Sequence, residues 1–440
     1  MDKDARWQVL HGNCLEVLKT LPSNSIDAVV TDPPYGLSEH SDIQTMVRYW
    51  FVGKEFVNKS AGFMGKDWDS FVPGPEIWRE VKRVLKPGGH VLAFAGSRTI
   101  DLMGISLRFA GLEIRDSIMC WLYSGFPKSM NVGKAVDALV LTGGSDSKSI
   151  KQANALRPGE AREAAFLPVN GIKSTASSGS NLVNDNPATE EGLQWDGWGT
   201  ALKPAFEPVL VAQKPFDVPV AENVLTHGTG ALNIDANRMP AGSAEPEQDT
   251  NSKGRWPPNV LLTHHPECAE EGDCHPDCGV KRIDAQSEGV SRFFPQFRYN
   301  AKVSRAERHA GMGEPRNNHP TVKPSGVMRW LIRLVAPQGG VVLDPFNGSG
   351  STGIAAMKEG MRYVGIEREA EYVEISKARI AHAAAETEAK PFPNLKPPKE
   401  IAVVAPLTEP LPVPEGQERS TRSLDPALFK KLVAKGLKKR

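Results

Sequence analysis

The 440-residue chain contains no apolar run approaching the ~18 residues of a membrane span, and its N-terminus, MDKDARWQVL, lacks the apolar core of a signal peptide. The expectation is therefore a cytoplasmic protein with no membrane partner. Net charge is also scarce. Lys and Arg total 53 against 52 Asp and Glu, a formal +1, so a polyanion has to be held by a local patch. There are no internal repeats, and 40% hydrophobic with 24% charged residues is ordinary soluble-protein composition. The length allows a large core and more than one domain.

What is present is strand–helix alternation at both ends. WQVLHG, IDAVVTD, HVLAFAG and EIRDSIMCWLY read as strands. CLEVLKTL, PGPEIWREVKRVLK and TIDLMGISLRFAG read as the helices between them. The alternation predicts a parallel sheet covered on both faces. It stops over 141–200, which is rich in Gly, Ser, Asn and Asp and reads as a long surface loop. EPVLVAQ (207–213) is one more strand, and 214–318 is irregular. Alternation returns from 324 with PSGVMRWLIRLVA, GGVVLD, STGIAAMKEG, RYVGIE and EAEYVEISKARIAHAA. The simplest account is one sheet interrupted by an insertion. Eight prolines between 391 and 414 make an extended linker, followed by the basic amphipathic SLDPALFKKLVAKGLKKR.

One local patch has the required sign. Residues 281–316 hold eight Lys/Arg against four acids, with Phe293, Phe294, Phe297 and Tyr299 among them. Cations interleaved with rings suit phosphates and bases, and a solvated face over a small core is the alternative. Arg292, Arg298, Lys302 and Arg305 are the candidate nucleic-acid contacts.

Two motifs carry chemistry. In VVLDPFNGSGSTG a strand ends at Asp344, and Gly348 and Gly350 turn the chain into a helix, so backbone can approach a ligand closely. Glu367 ends the next strand, where an acid commonly takes a ribose hydroxyl pair. A P-loop would need a lysine that Gly-Ser-Thr does not supply, while G-x-G-x-x-G (Gly348, Gly350, Gly353) leaves a dinucleotide site open. The second motif is VVTDPPYGL. Asp32 accepts hydrogen bonds, neither Pro33 nor Pro34 can donate one, and Tyr35 offers a ring face. An acceptor-only corner beside a stacking wall suits the exocyclic amine of a base.

Taken with HPTVKP at 319–324 and GIEREAEYVEISKAR at 365–379, these stretches resemble the β class of amino DNA methyltransferases, in which DPPY precedes the glycine-rich cofactor motif. HGNCLEVLKTLPSNSIDAVVTDPPY and REVKRVLKPGGHVLAF match the same pattern, while GFMGKDWDS, WDGWGTALKPAFEP and RAERHAG resemble a bacterial and phage-borne subgroup. The resemblance implies an α/β, Rossmann-like, circularly permuted sheet with an inserted target-recognition domain. Residues 1–140 would form the catalytic lobe, 141–203 a polar insertion and 204–213 that lobe's last strand. The target-recognition domain would be 214–318, the cofactor lobe 319–388, the Pro-rich linker 389–422 and the basic C-terminal helix 423–440. It implies that Asp32 and the Pro33 carbonyl hold the target amine while Pro34 and Tyr35 pack the base. S-adenosylmethionine would be held by Asn13, Cys14, Thr321, Lys323, Asp344, Phe346, Gly348, Gly350 and Glu367; many relatives carry Asp where this chain has Asn13. Asp rather than Ser before Pro-Pro-Tyr favours N6 of adenine over N4 of cytosine. An inactive DNA-binding protein and methylation of RNA or of a protein glutamine are the alternatives from other classes. Double-stranded DNA is the implied partner, a cognate restriction endonuclease a candidate one, and either a monomer or a homodimer is compatible.

Two features stand beside the resemblance. The spacing His264-x3-Cys268-x5-Cys274-x3-Cys278 gathers four soft ligands, with His265 and His275 as spares, in a pattern suited to structural zinc but unlike a standard finger. Free thiols are common in cytoplasmic proteins and are the alternative; Cys14 and Cys120 read as core thiols. The loop 38–70, with Arg48, Tyr49, Trp50, Lys54, Lys66 and Trp68, reads as a flap over a flipped base or as a surface aromatic cluster.

Overall fold

The computed structural model describes residues 6–36, 43–54, 56, 72–122, 129–156, 189–202, 205–239, 254–265, 268, 274–297, 308–312, 317–319 and 321–388. The chain divides into two units, Met1–Phe392 and Pro393–Arg440, and the described residues all lie in the first. The Pro-rich linker, the basic C-terminal helix, Lys66, Trp68, Arg298, Lys302 and Arg305 fall outside the described residues.

The order is β1 (Trp7–His11), α1 (Cys14–Thr20), β2 (Ile26–Thr31), α2 (Ile43–Phe51), α3 (Pro75–Val84), β3 (Leu85–Phe94), α4 (Ile100–Phe109) and β4 (Glu113–Leu122). Then come α5 (Val132–Thr142), α6 (Ser147–Leu156), α7 (Glu190–Gln194), β5 (Phe206–Gln213), α8 (Val220–His227), β6 (Val260–Thr263), α9 (Gly279–Gln286) and β7 (Gln296–Phe297). The C-terminal run is α10 (Ser325–Val335), β8 (Val341–Asp344), α11 (Ser351–Lys358), β9 (Arg362–Glu367) and α12 (Ala370–Glu388).

Nine described strands form one sheet in the order β1-β9-β8-β2-β3-β5-β4-β6-β7. Successive side chains of a strand point to opposite faces, and β2 is buried on both. Ala28 and Val30 enter one core with Phe94, Val342 and Leu331; Ile26 and Val29 enter the other with Trp78, Leu85 and Leu343. Helices therefore cover both faces, as the continuous apolar run requires. The C-terminal lobe is completed from the N-terminus, because β1 pairs in parallel with β9, from Trp7 beside Tyr363 to His11 beside Glu367.

Five expectations change. The sheet is not wholly parallel: β5 runs antiparallel between β3 and β4. The helix α3 stops at Val84, and Lys86 to Gly89 are absorbed by a register shift where β2 meets β3. The stretch 141–203 is not structureless at its ends. Helix α6 is opened by Asp146, whose carboxylate accepts the Ser149 amide at 2.7 Å, and α7 by Thr189, which donates its hydroxyl to the buried Asp137 of α5 at 2.6 Å. Caps and one buried acid, rather than an apolar stripe, order these turns. The inserted block, read as irregular, contributes β6 to the main sheet through Cys120–Val260 and Trp121–Leu261. Within the loop after the Asp-Pro-Pro-Tyr motif, α2 turns Met46 and Trp50 into the core, so Trp50 is a packing residue and not an exposed flap residue. No helix among the described residues is long and apolar enough to cross a membrane.

Candidate active site

The crevice of a doubly wound sheet lies where neighbouring strands send their connections in opposite directions. Here that point is between β2 and β8, paired through Ala28–Val342 and Val29–Leu343. The chain after β2 is Asp32-Pro33-Pro34-Tyr35, and the chain after β8 is the glycine loop. Asp344 joins the two. It is 2% exposed, its Oδ1 accepts from the Thr31 hydroxyl at 2.6 Å and the Phe346 amide at 3.0 Å, and its Oδ2 accepts from Thr352 at 2.6 Å. Burial pushes its pKa up to about 6 against these neutral donors. Asp344, expected among the cofactor contacts, braces the loop from beneath.

The loop itself has the form its glycines allow. Gly348 lies at φ +50°, and a side chain there would meet the His319 ring at 2.8 Å. Its amide donates to Glu367 Oε2 at 2.7 Å, and Glu369 N donates to Oε1 at 2.8 Å. Glu367 is pushed upward from the ordinary carboxylate range, mainly by burial. Arg379, buried, donates to the Ser349 carbonyl at 2.5 Å and hydroxyl at 3.0 Å and fixes the far side of the loop. Phe346 packs its ring against Trp78, centroids 6.3 Å apart. Register places Asn13 and Cys14, just after β1, beside Glu367, and Gly12 N donates to the Glu367 carbonyl at 2.9 Å. Burial, with Glu367 nearby, pushes the Cys14 thiol up to about 12, so it stays protonated. Asn13 caps α1, its side chain accepting the Leu15 amide at 2.9 Å.

The corner after β2 is built from both lobes. Lys323 comes from the segment before α10 and is 8% exposed. Its ammonium lies 3.0 Å from each of Asp32 Oδ1, Glu207 Oε2 and the Tyr35 hydroxyl, one acceptor for each of its three hydrogens. It also sits 4.9 Å from the centroid of Phe94 and 5.3 Å from that of Tyr35. Burial opposes its charge, but the Asp32 and Glu207 carboxylates prevail and hold its pKa above the ordinary lysine value. The Tyr35 hydroxyl donates to Asp32 Oδ1 at 2.7 Å and is raised well above its usual pKa, first by burial and then by the two acids. Thr99 pins the loop by donating to the Tyr35 carbonyl at 2.6 Å. The corner is thus not acceptor-only, and Lys323, expected on the cofactor, is engaged with the acid of the Asp-Pro-Pro-Tyr motif.

Two further residues belong to the crevice. Glu207 enters from β5 and shares Lys323 with Asp32; nothing in its local sequence announces it. His319 opens HPTVKP and packs between the glycine loop and Tyr372, 4.5 Å away by centroid. Burial lowers its pKa to about 4, so the ring is neutral. Thr321 is exposed, and its carbonyl takes the His319 Nδ1 proton at 2.6 Å. A cavity of about 580 Å³ lined by His90, Gln213, Trp256 and Trp330 lies toward the start of β3, and none of the motif residues lines it.

Of the expected nucleic-acid contacts, only Arg292 lies among the described residues. Its guanidinium covers one side of Phe293 at 5.0 Å and that of Arg255 approaches the same ring at 4.7 Å, while Arg238 lies 5.3 Å from Trp256. Phe293 and Trp256 are 40% and 65% exposed, so rings and cations are presented together. The four residues expected as a zinc set, His264, Cys268, Cys274 and Cys278, are brought into one cluster, whereas His265 and His275 stack on each other at 4.1 Å.

This geometry agrees with what the chain is similar to. A family model described as DNA methylase, of the N6/N4 type, matches residues 26–378. The type II methyltransferase M.HindIII of Haemophilus influenzae is 24% identical over 372 residues, which cover 80% of this chain and 87% of that protein. M.ScaI of Streptomyces caespitosus is 40% identical over 87 residues, but those cover 20% of this chain and only 26% of that protein. Among solved structures, the PvuII DNA methyltransferase (cytosine-N4-specific) has a TM-score of 0.41 at 15% identity over 85% of this chain and 86% of that one. The family match spans both lobes and the block between them, and with the two motifs meeting at one sheet crevice, the chain belongs to the N6/N4 DNA methylase family.

Proposed function

We propose that this chain transfers a methyl group from S-adenosylmethionine to N6 of an adenine flipped out of duplex DNA. The observation that carries the reading is the corner of Asp32, Glu207, Lys323 and Tyr35, set one strand away from a glycine loop whose acids face only neutral donors.

The loop fits the cofactor. Close backbone approach is available at Gly348, Glu367 stands at the loop's mouth for a ribose diol, and no cation among the described partners of Glu367 or Asp344 competes with a positively charged ligand. Phe346, Gly350, Asn13 and Cys14 border the same mouth. When bound, S-adenosylmethionine supplies a methyl group already activated on a cationic sulfur, so the chain needs no covalent nucleophile. That agrees with a Cys14 thiol held protonated.

What remains is positioning. The amine nitrogen has to be held in line and about 3–3.5 Å from the methyl carbon. Asp32 and the Pro33 carbonyl accept the two amine hydrogens and so turn the nitrogen lone pair toward the loop. Lys323 and the Tyr35 hydroxyl fix the carboxylate that does this. Two acids and one base give the corner a formal excess of one negative charge, which favours the positive charge growing on the amine. As the N–C bond forms the S–C bond would break to leave a neutral sulfide, and the cationic nitrogen would then lose one proton through the Asp32 carboxylate to solvent. Reaching this corner requires the base to leave the helix, at a cost of a few kcal/mol. The Arg255, Arg292 and Phe293 patch supplies phosphate and stacking contacts outside the crevice. An acid at Asp32, rather than a hydroxyl, supports adenine over cytosine.

The deciding experiment expresses the chain in a methylation-free host and analyses the DNA by nucleoside mass spectrometry and long-read sequencing. N6-methyladenine in one sequence context is expected. N4-methylcytosine alone overturns the choice of base, and no new methylation overturns the reading. Asp32→Ala should keep cofactor binding and lose methyl transfer by at least about 10³-fold.

A further inference from the structure

We propose that the inserted block holds one tetrahedral zinc ion on His264 Nδ1 and the sulfurs of Cys268, Cys274 and Cys278, oriented by Gln296. The site lies outside the catalytic crevice and does not depend on which base is methylated.

The separations are those of a coordination shell. The four ligand atoms all lie within 4.8 Å of one another, and His264 Nδ1 is 3.4 Å from Cys274 Sγ and 3.7 Å from Cys278 Sγ. A tetrahedral zinc with Zn–S of about 2.3 Å and Zn–N of about 2.0–2.1 Å has N···S edges near 3.6 Å. The observed pair brackets that value. Cys268, Cys274 and Cys278 are not in disulfides.

The hydrogen bonding behind the histidine is the second observation. Gln296 Nε2 donates to the Ser291 carbonyl at 2.9 Å and to its hydroxyl at 3.1 Å, and this fixes which way round the amide lies. Its Oε1 then faces His264 Nε2 at 3.0 Å, so Nε2 carries the proton and Nδ1 presents its lone pair to the sulfurs. Ligating histidines typically bond in this way through the nitrogen that does not bind metal. Ser291 is itself clamped by Asp284 through its amide (2.7 Å) and hydroxyl (2.6 Å). Cys278 Sγ accepts the His265 amide at 3.4 Å, an N–H···S contact suited to a thiolate.

The third observation is how small the described core is beyond β6, which is itself anchored in the main sheet. This core has three buried members, Leu262, Cys278 and Val280, with the other two cluster cysteines at its margin. So small a core rarely orders a segment without a cross-link. Zinc would tie the end of β6 to the start of α9, and through Asp284 and Ser291 to the turn that carries Arg292 and Phe293. The ion's role is therefore structural, and what it holds in place is the surface proposed to meet DNA.

The test begins with the full chain purified without chelator and analysed for metals. About one zinc per chain is expected. Replacing zinc with cobalt(II) should give intense visible bands of tetrahedral thiolate coordination, a reading that needs no variant. Cys274→Ser and Cys278→Ser should lose the metal, and His275→Ala should keep it. Gln296→Ala should retain the ligands but release zinc to a chelating dye about 10- to 100-fold more readily. Binding of S-adenosylmethionine serves as the folding control. A zinc-free protein after growth in zinc-supplemented medium, weak octahedral cobalt bands, or oxidised cluster thiols in protein purified under reducing conditions would each overturn the site. So would full zinc retention by both serine variants.

Discussion

Two acid-bearing corners face each other across β2 and β8, and they are neutralised in opposite ways. Beyond β2, Asp32 and Glu207 share a buried ammonium. At the ends of β8 and β9, Asp344 and Glu367 receive only hydroxyls and backbone amides among their described partners. The consequence is electrostatic. Lys323 is held charged by its partners, whereas Asp344 rises to about 6 and Glu367 is also pushed upward. One corner carries its own counter-ion, and the other lacks a described cation and is completed best by a positively charged ligand. Charge should therefore be removable without harm at the second corner and costly to remove at the first.

Deleting the counter-ion should have the largest effect. Lys323→Met leaves two carboxylates in a largely buried site, and breaking such an arrangement from one side costs about 3–5 kcal/mol. The double variant Lys323→Met/Glu207→Leu should recover a substantial part of that loss, because only Asp32 then remains. Denaturant unfolding of the four proteins in the cycle checks it; a double variant no more stable than Lys323→Met would mean that Glu207 is not coupled to the lysine. The opposite corner predicts an effect of the other sign. Asp344 has a folded pKa of about 6 against an ordinary 3.8, so its favourable contribution is complete below pH ~3.8 and is lost as pH rises through about 6. The ionised form is penalised by something on the order of 2–3 kcal/mol. Stability of Asp344→Asn relative to wild type should therefore rise between about pH 4 and pH 7.5, whatever constant offset the lost acceptor adds. A relative fall over that window would contradict the direction of the shift.

How much of this contrast is legible in the sequence depends on sequence distance. Asp32, Gly348, Gly350 and Glu367 can be placed because each sits at a strand end that its own apolar run announces. The meeting of the two motifs follows from the α/β alternation. The antiparallel β5 cannot be read, since strand direction depends on how the chain returns through 141–203. Nor can the engagement of Lys323 with Asp32, 291 positions earlier, because an ion pair across lobes leaves no local pattern. Glu207 looks like any acid at the start of a strand. The helices α6 and α7 escape because caps and the buried Asp137 order them where composition suggests a loop. The cysteine spacing does signal a cluster, but the choice of His264 over His265 and His275 rests on the orientation of Gln296, which residue spacing does not reveal.

A smaller effect sharpens the comparison at its open side. Glu367→Gln keeps one oxygen for the Gly348 amide but removes the charge from the loop's mouth. S-adenosylmethionine should bind about tenfold more weakly, roughly 1.4 kcal/mol, with little change in unfolding. Calorimetric titration separates the two. Unchanged affinity would remove Glu367 from the cofactor site and leave it as a loop brace like Asp344.

The smallest expected effect concerns Asn13, where a cap and a cofactor contact compete for one side chain. Its oxygen accepts the Leu15 amide at 2.9 Å, which is sufficient reason for Asn at the start of α1. Asn13→Ala should cost about 1 kcal/mol of stability through the lost cap. Asn13→Asp should cap equally well and add an anion at the positive end of the helix, so stability should be kept or slightly raised. If Asn13 is only a cap, cofactor affinity should be the same in both variants, measured well below their unfolding transitions. Weaker binding in Asn13→Ala, with affinity retained or improved in Asn13→Asp, would instead show that the side chain reaches the ligand. The comparison would then extend to a third position, since an added acid beside Glu367 helps only where no counter-ion is already in place.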